Sequence, residues 1–276
     1  MSEKITSLDQ ILATVKSEQQ KYASGLWVPS LEKELRFTEI TTSQQKRLIK
    51  SVVDSPVFNT EFIYTLRDIL KENCMEDLDI DTLTLLDKLV IAIGLRATCI
   101  GSEVEIEVPA EEGKEAFTHT VDLIKLYEKI KEAKINVKAD TFEKGVYKVV
   151  CDIPSIGTEY QLEKERRTTG ANINIETTEE LRDVLGEAFI SEIVKYIKQV
   201  SVKQDEEFVE VDWTELTFED RIKVVETFGM PLLKQVVEHI NVLKKEFDKV
   251  EMIKFTRKKE PYERRLTIDG RFFTIS

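Results

Sequence analysis

Aspartates in the first third of the chain have a spacing that suggests metal chemistry. Asp77, Asp79 and Asp81 alternate as the first oxygen ligands of a calcium-binding loop do. Such a loop also needs glycine at its sixth position and glutamate at its twelfth. Thr82 and Lys88 stand at those two positions, so the sequence argues against a calcium site.

The same aspartates are better explained as part of a structural helix. Asp79 or Asp81 is predicted to cap it, because a carboxylate accepts hydrogen bonds from the free N–H groups of a first helical turn. Gly101 is predicted to stop this helix, and Arg96 is expected to pair with one of the acids. Apolar residues follow at helical spacing: Leu83, Leu86, Val90, Ile93 and Ala97.

Cysteine usage gives no metal or disulfide framework. Cys74 and Cys99 lie at opposite ends of the predicted helix, and no further ligand stands within two to four residues of either. That spacing argues against zinc. A total of three cysteines is odd and small, which is typical of a protein from a reducing compartment.

Catalytic and cofactor motifs are lacking. The chain has two histidines, His119 and His239, and no G-x-S-x-G nucleophile motif. Its ten glycines form neither G-x-x-x-x-G-K nor G-x-G-x-x-G. We therefore predict a protein that is not an enzyme, with no catalytic, cofactor-binding or metal-binding residues.

One basic cluster stands out in the acidic chain. Residues 254–265 carry six cations and two glutamates, with Phe255 and Tyr262 interleaved. Interleaved cations and aromatics are typical of single-strand nucleic-acid binders, but charged residues also protect edge strands from unwanted pairing. An acidic protein surface is a third interpretation. The candidate partner contacts here are Arg257, Lys258 and Lys259.

An apolar triplet lies in a segment that resembles a linker. Leu26, Trp27 and Val28 stand within SGLWVPS, next to a predicted amphipathic helix. Tryptophan is enriched at the energetic centres of interfaces, so the triplet is a candidate partner contact. The alternative is an internal contact that fixes the helix to a bundle.

Composition limits the class of protein. The chain has 276 residues, of which 33% are charged and 41% hydrophobic, and its net charge is −12. This charge disfavours nonspecific binding to nucleic acid. No apolar run reaches the length of a membrane span, and the polar N-terminus does not have the pattern of a secretory signal.

Hydrophobic periodicity changes character along the chain. Three closely linked helical patterns in the first hundred residues predict a compact bundle. Alternating patterns and further helices follow, and Asp269-Gly270 predicts a final hairpin. Predicted helices cover residues 7–23, 41–55, 59–74, 81–101, 123–135, 177–200, 217–229 and 231–247. Predicted strands cover 31–40, 102–108, 117–123, 145–156, 207–213, 250–257 and 264–276.

Several short motifs, in order, resemble the T-even-type myophage baseplate hub assembly proteins. The resemblance covers roughly residues 28–165, and its strongest part spans about seventy residues. The motif residues are Pro29-Ser30, Arg36-Phe37, Gln44-Gln45-Lys46, Asn73-Cys74, Asp79 to Asp87, and Leu95-Arg96 to Gly101.

This resemblance implies a protein that helps to build the central hub of a contractile tail's baseplate without catalysis. It would act in the host cytoplasm through contacts with hub or tape-measure proteins. Whether it leaves after assembly or remains in the virion baseplate stays open, as does self-association into a homo-oligomer. The alternative from another class is a nucleic-acid-associated protein that uses residues 254–265.

We therefore expect an α+β protein, with an N-terminal helical bundle followed by a half of mixed helices and antiparallel strands. The predicted segments are an amphipathic helix in 1–25, a hub-assembly-like domain in 26–165, and a C-terminal α+β region in 166–276 that ends in a hairpin.

Overall fold

The computed structural model describes residues 7–54, 60–110, 115–135, 138–168 and 178–274. Its helices are α1 (Leu8–Lys21), α2 (Thr42–Asp54), α3 (Thr60–Asn73), α4 (Leu85–Cys99), α5 (Leu123–Glu132), α6 (Ile156–Thr168), α7 (Thr178–Tyr196), α8 (Phe218–Glu226) and α9 (Met230–Glu251). Its strands are β1 (Ser24–Val28), β2 (Lys33–Phe37), β3 (Glu103–Val108), β4 (Phe117–Asp122), β5 (Asp140–Lys144), β6 (Tyr147–Cys151), β7 (Ile197–Gln204), β8 (Glu207–Glu210), β9 (Met252–Arg257) and β10 (Glu260–Arg265). The predicted α+β class is confirmed.

The chain divides into two compact units made of separated segments. The first unit takes the chain up to Ile80, then Asp87–Ala133, and then the segment from Glu251 onward. The second takes Asp81–Leu86 and Lys134–Val250. These units differ from the three consecutive segments expected from sequence, because the C-terminal segment returns to the first unit.

Helix α4 supplies the centre of the first unit. Its apolar residues are buried on all sides, as expected of a helix that neighbours surround. Gly94 lets β1 approach closely, since a Cβ there would lie 2.8 Å from Leu26 Cδ2 and 3.0 Å from Tyr127 Cε2. The fully buried apolar residues of α4 in the first unit are Val90, Ile91, Ala92, Ile93 and Leu95.

Three two-stranded antiparallel ribbons accompany the helices of this unit. They are β1–β2, β3–β4 and β9–β10. The alternating pattern of 102–108 is confirmed as β3, with Ile106 opposite His119 and Val108 opposite Phe117 on β4. The predicted helix stop at Gly101 is also confirmed: α4 ends two residues earlier, and Gly101 has a φ of 155°.

The second unit is built on a four-stranded antiparallel sheet in the order β5-β6-β7-β8. Helices α6 and α7 lie in sequence between β6 and β7. Residues 197–200 were predicted as the end of a helix but begin β7, because they pair with β6. Strand β5 and helix α6 were not predicted. The predicted start of α7, at residue 177, lies outside the described residues.

The prediction that Asp79 or Asp81 caps α4 is wrong. A 3₁₀ turn occupies Ile80–Thr82, and the helix begins only at Leu85. Neither Asp79 nor Asp81 therefore stands directly before the first helical residue. Asp79 instead lies 3.7 Å from the Lys71 ammonium group.

The final predicted hairpin is also wrong. The Asp269 carboxylate accepts hydrogen bonds from the backbone N–H groups of Arg271 (2.8 Å) and Phe272 (3.3 Å), so it caps a 3₁₀ turn over Gly270–Phe273. Aspartate can satisfy local N–H groups in this way as readily as it can start a hairpin turn. The C-terminal hairpin closes instead between β9 and β10, at Lys258 and Lys259.

Gly270 packs against α2 with no room for a side chain. A Cβ there would fall far inside van der Waals distance of the Leu48 carbonyl oxygen and of Val52 Cγ2. We expect Gly270→Ala to lower the free energy of unfolding by about 2–3 kcal/mol, since overpacking a tight contact forces backbone shifts. Urea denaturation measures the change.

Gly186→Ala in α7 is the matched control. Nothing lies within 4 Å of a Cβ at Gly186, so we expect this substitution to stabilise the protein by up to about 1 kcal/mol through helix propensity. Equal effects of the two alanines would contradict the packing described for Gly270.

Candidate partner-binding surface

The residues that carry the family resemblance contact one another in the first unit. The backbone N–H of Ser30 donates to Asp87 Oδ1 at 2.9 Å, across 57 positions of sequence. Asp87 is fully buried, and a buried carboxylate needs such donors to offset its lost hydration. Asp87 therefore fixes the 3₁₀ turn Pro29–Leu31 against α4.

A second set of contacts joins β2, α2 and the end of α3. Gln44 Nε2 donates to Asn73 Oδ1 at 2.7 Å, and both residues are buried. Phe37 and Cys74 form an isolated antiparallel bridge. These motif residues therefore act as a framework that holds the start of the first unit together.

Arg96 connects several segments of this framework. The guanidinium donates to four backbone carbonyl oxygens: Phe272 (2.7 Å), Glu103 (3.2 Å), Thr274 (3.3 Å) and Gly101. Arg96 was expected to pair with an acid, and that expectation is wrong, since the contacts described for it are carbonyl groups. Several donors in a fixed fork suit arginine to this arrangement.

Burial is substantial at this arginine. The side chain is almost completely buried, and removal from water lowers the pKa of the Arg96 guanidinium below its ordinary value. The four carbonyl dipoles supply the electrostatic compensation that a buried cation requires. Arg96 thereby joins the end of α4, the start of β3 and the C-terminal turn.

Leu26, Trp27 and Val28 were predicted to contact a partner, and for Leu26 and Val28 that prediction is wrong. Leu26 and Val28 lie in strand β1 and are 1% and 0% exposed. Alternation along a strand places them on the same face, toward the core. Trp27 points to the other face and is half-buried, and its backbone N–H donates to the Tyr127 hydroxyl.

The ribbons β3–β4 and β9–β10 meet through aromatic rings. His119 stacks on Phe255 with ring centres 3.7 Å apart and planes 8° apart. Phe255 also stacks on Tyr262 at 5.5 Å, and Phe117 meets Tyr262 edge-on at 5.3 Å. The aromatics of the basic cluster are thus engaged with one another and half-buried.

The end of the β9–β10 ribbon carries a concentrated positive charge. Lys258 and Lys259 are exposed and have φ of 49° and 69°, the left-handed pair that a two-residue hairpin turn requires. Arg257 lies 3.8 Å from the centre of the Phe117 ring, a cation–π contact. We call Arg257, Lys258 and Lys259 the basic tip.

Cations further along the ribbon have acidic partners. Lys254 lies 2.7 Å from Glu263, and Arg265 lies 3.4 Å from Glu251. Arg257, Lys258 and Lys259 of the basic tip are exposed at the turn end of the ribbon.

The two histidines belong to different units. His119 takes part in the ring stack of the first unit. In the second unit, His239 Nδ1 lies 4.0 Å from Asp140 Oδ2, and its ring centre lies 5.4 Å from that of Phe142. These surroundings are those of packed side chains.

The three cysteines are free thiols. Burial, with smaller contributions from the charges of Asp140 and Asp152, raises the pKa of Cys151 to about 12. Burial also raises the pKa of Cys74. A thiol with a raised pKa stays protonated near neutral pH and is a poor nucleophile.

Within residues 7–54, 60–110, 115–135, 138–168 and 178–274, no three or more histidine, cysteine or acidic side chains are grouped so that they could hold a metal ion. No helix within the same ranges combines the length and the apolar character that crossing a bilayer requires.

Comparisons of the chain with protein-family models, with curated proteins and with solved structures find no match in any of the three. The family resemblance therefore depends on the sequence motifs alone.

The contacts of Arg96 predict a large loss of stability on a conservative change. We expect Arg96→Lys to lower the free energy of unfolding by about 3 kcal/mol, because one ammonium group cannot reach four carbonyl groups and leaves some of them unsatisfied. Urea denaturation, followed by circular dichroism, measures the change.

Arg36→Lys is the control, since Arg36 is exposed and makes one 3.3 Å hydrogen bond, to the Gln20 carbonyl oxygen. We expect a change within about 0.5 kcal/mol there. A loss at Arg96 no larger than that of the control would mean that the carbonyl contacts contribute little.

Proposed function

We propose that this protein is a non-catalytic assembly factor for the baseplate hub of a contractile phage tail. It binds hub or tape-measure proteins in the host cytoplasm. The observation that carries the proposal is the pairing of motif residues far apart in sequence, above all Ser30 with Asp87 and Gln44 with Asn73.

The paired motif residues Asp87, Gln44 and Asn73 are buried, so we place the partner contact elsewhere on the surface. Of the six candidate contacts, Trp27 and the basic tip retain exposed surface. A positive tip on a chain of net charge −12 favours a partner that presents carboxylates to it. The stacked rings behind the tip reduce the ordering needed on binding, because they hold Arg257 in place.

Capture from infected cells tests the proposal. We expect the tagged chain, produced in host cells during infection, to retain hub or tape-measure proteins through washes at about 0.5 M salt. Mass spectrometry identifies the captured proteins. Recovery of no tail protein above the untagged control would remove the proposal.

A variant of the basic tip, tested in the same capture experiment, measures the contribution of the tip to binding. We expect Arg257→Ala, Lys258→Ala and Lys259→Ala together to reduce capture severalfold, because charge pairs at an interface fix partners and speed association. Lys129→Ala, Lys234→Ala and Lys245→Ala together remove the same charge from exposed positions elsewhere. Equal capture by both variants would exclude the tip as the contact.

Two versions of this function differ in what happens after assembly. A transient chaperone leaves the baseplate, whereas a structural component stays in the virion. Mass spectrometry of purified particles distinguishes them by the presence or absence of the chain.

The second candidate function is nucleic-acid association through residues 254–265, and the exposed cations of the basic tip favour it. Against it stand the net charge, the paired cations Lys254 and Arg265, and the mutual stacking of Phe255 and Tyr262. Those rings would have to separate before a base could stack on either one.

We expect no measurable binding of labelled single-stranded DNA or RNA at about 0.15 M salt, because too few unpaired cations are available to release counterions. Fluorescence anisotropy over a salt series is the measurement. Binding that weakens steeply with salt, and that disappears in the triple tip variant, would favour the second candidate over the first.

A further inference from the structure

Helix α1 displays an uncovered apolar stripe. Leu8, Ile11, Leu12 and Val15 recur at the spacing of one helical face and are 68%, 45%, 57% and 46% exposed. Each of the other α1 positions whose side chain is described is exposed as well. None of its described side chains therefore packs into the core of its own chain.

A helix of this length needs cover. An isolated helix of 14 residues is marginal in water even when its residues favour helix. One hydrogen bond, from Arg36 to the Gln20 carbonyl oxygen, links its end to β2. Most of the stability of an amphipathic helix comes from packing its apolar face. A partner packed on the apolar stripe would therefore stabilise α1.

The stripe has the spacing of a two-helix seam. Leu8, Leu12 and Val15 are separated by four and three residues, the alternation of core positions in a coiled coil. Asp9 and Lys16 each directly follow a core position, so they flank the seam on the same side. Flanking charges of this kind select partner and orientation.

We propose that α1 pairs with α1 of a second copy of this chain, in antiparallel orientation, with Leu12 opposite Val15 of the second copy. In this register Asp9 lies beside Lys16 of the second copy. The two-fold symmetry of a homodimer repeats the pair, so two opposite-charge contacts flank one apolar seam.

Charge selects this register over its neighbours. Shifting the helices by one heptad in one direction places Asp9 beside Asp9 of the second copy. The opposite shift places Lys16 beside Lys16 of the second copy. A parallel pair puts Ile11 beside Lys16, and so makes no opposite-charge pair among residues 8–21. Of these three antiparallel registers, only the one with Leu12 opposite Val15 places Asp9 beside Lys16 of the second copy.

The pairing is independent of the proposed function, since it follows from α1 alone. An interface of one short helix from each copy is small, and small interfaces are typical of weak, reversible association. We expect a monomer–dimer equilibrium whose dimer fraction rises with concentration over the micromolar to millimolar range.

Sedimentation equilibrium of the full chain, with charge reversals, tests the proposal. We expect Asp9→Lys to weaken dimerisation about tenfold, because each of two attractive pairs becomes repulsive. Lys16→Asp has the same effect for the same reason. The double variant, Asp9→Lys with Lys16→Asp, restores the opposite-charge pairs in reversed sense and returns dimerisation close to the wild-type value.

The control variant carries the added charge on the outer side of the helix. Gln10→Lys with Ser17→Lys adds two positive charges, as Asp9→Lys does, at positions away from the seam. We expect dimerisation of this variant to stay within about twofold of wild type. A wild-type chain that stays monomeric up to about 1 mM, or a double variant no better than either single one, would overturn the proposal.

Cysteine cross-linking checks the orientation. We expect mild oxidation to link copies that carry both Leu12→Cys and Val15→Cys, since these positions face each other in the antiparallel pair. Val15→Cys alone should link copies no faster than the wild-type chain does. The wild type is the control for cross-linking through its three native thiols. Rapid linkage by Val15→Cys alone would indicate a parallel pair and contradict the proposed register.

Discussion

The guanidinium of Arg96 is the interaction on which the first unit depends most. It donates to carbonyl oxygens at Gly101, Glu103, Phe272 and Thr274, which belong to segments up to 178 positions away. A buried cation is tolerated only where dipoles or charges replace its water. The start of β3 and the C-terminal turn therefore have to meet at the end of α4 for this arginine to be satisfied.

That closure decides which surfaces are left for partners. The C-terminal turn packs Phe273 near Phe62 and places Gly270 against the backbone of Leu48. Strand β1 delivers Leu26 and Val28 to the core. The basic tip and the apolar stripe of α1 stay exposed. These two surfaces differ in chemistry, so they suit two different contacts: an acidic partner surface and a second copy of the chain.

The motif residues and the surface residues have separate roles in the proposed assembly function. Asp87, Gln44 and Asn73 bond to other parts of their own chain, which makes them a framework with a constant shape. The basic tip is exposed and is held by ring stacking behind it. A protein that acts through contacts alone needs this combination, because a rigid surface loses less entropy on binding.

The sequence by itself determined the α+β class and the elements with a strong local pattern, such as β3, α3 and α9. Periodicity and helix stops act within a few residues, as at Gly101. Only the tertiary structure decided that Leu26 and Val28 are buried, that residues 197–200 form a strand, and that Asp269 caps a turn. Each of these outcomes depends on groups distant in sequence: α4 and β2 for the triplet, β6 for β7, and α2 for the C-terminal turn. The acceptors of Arg96 were hidden for the same reason, since backbone carbonyl groups have no sequence signature and only folding brings them to one side chain.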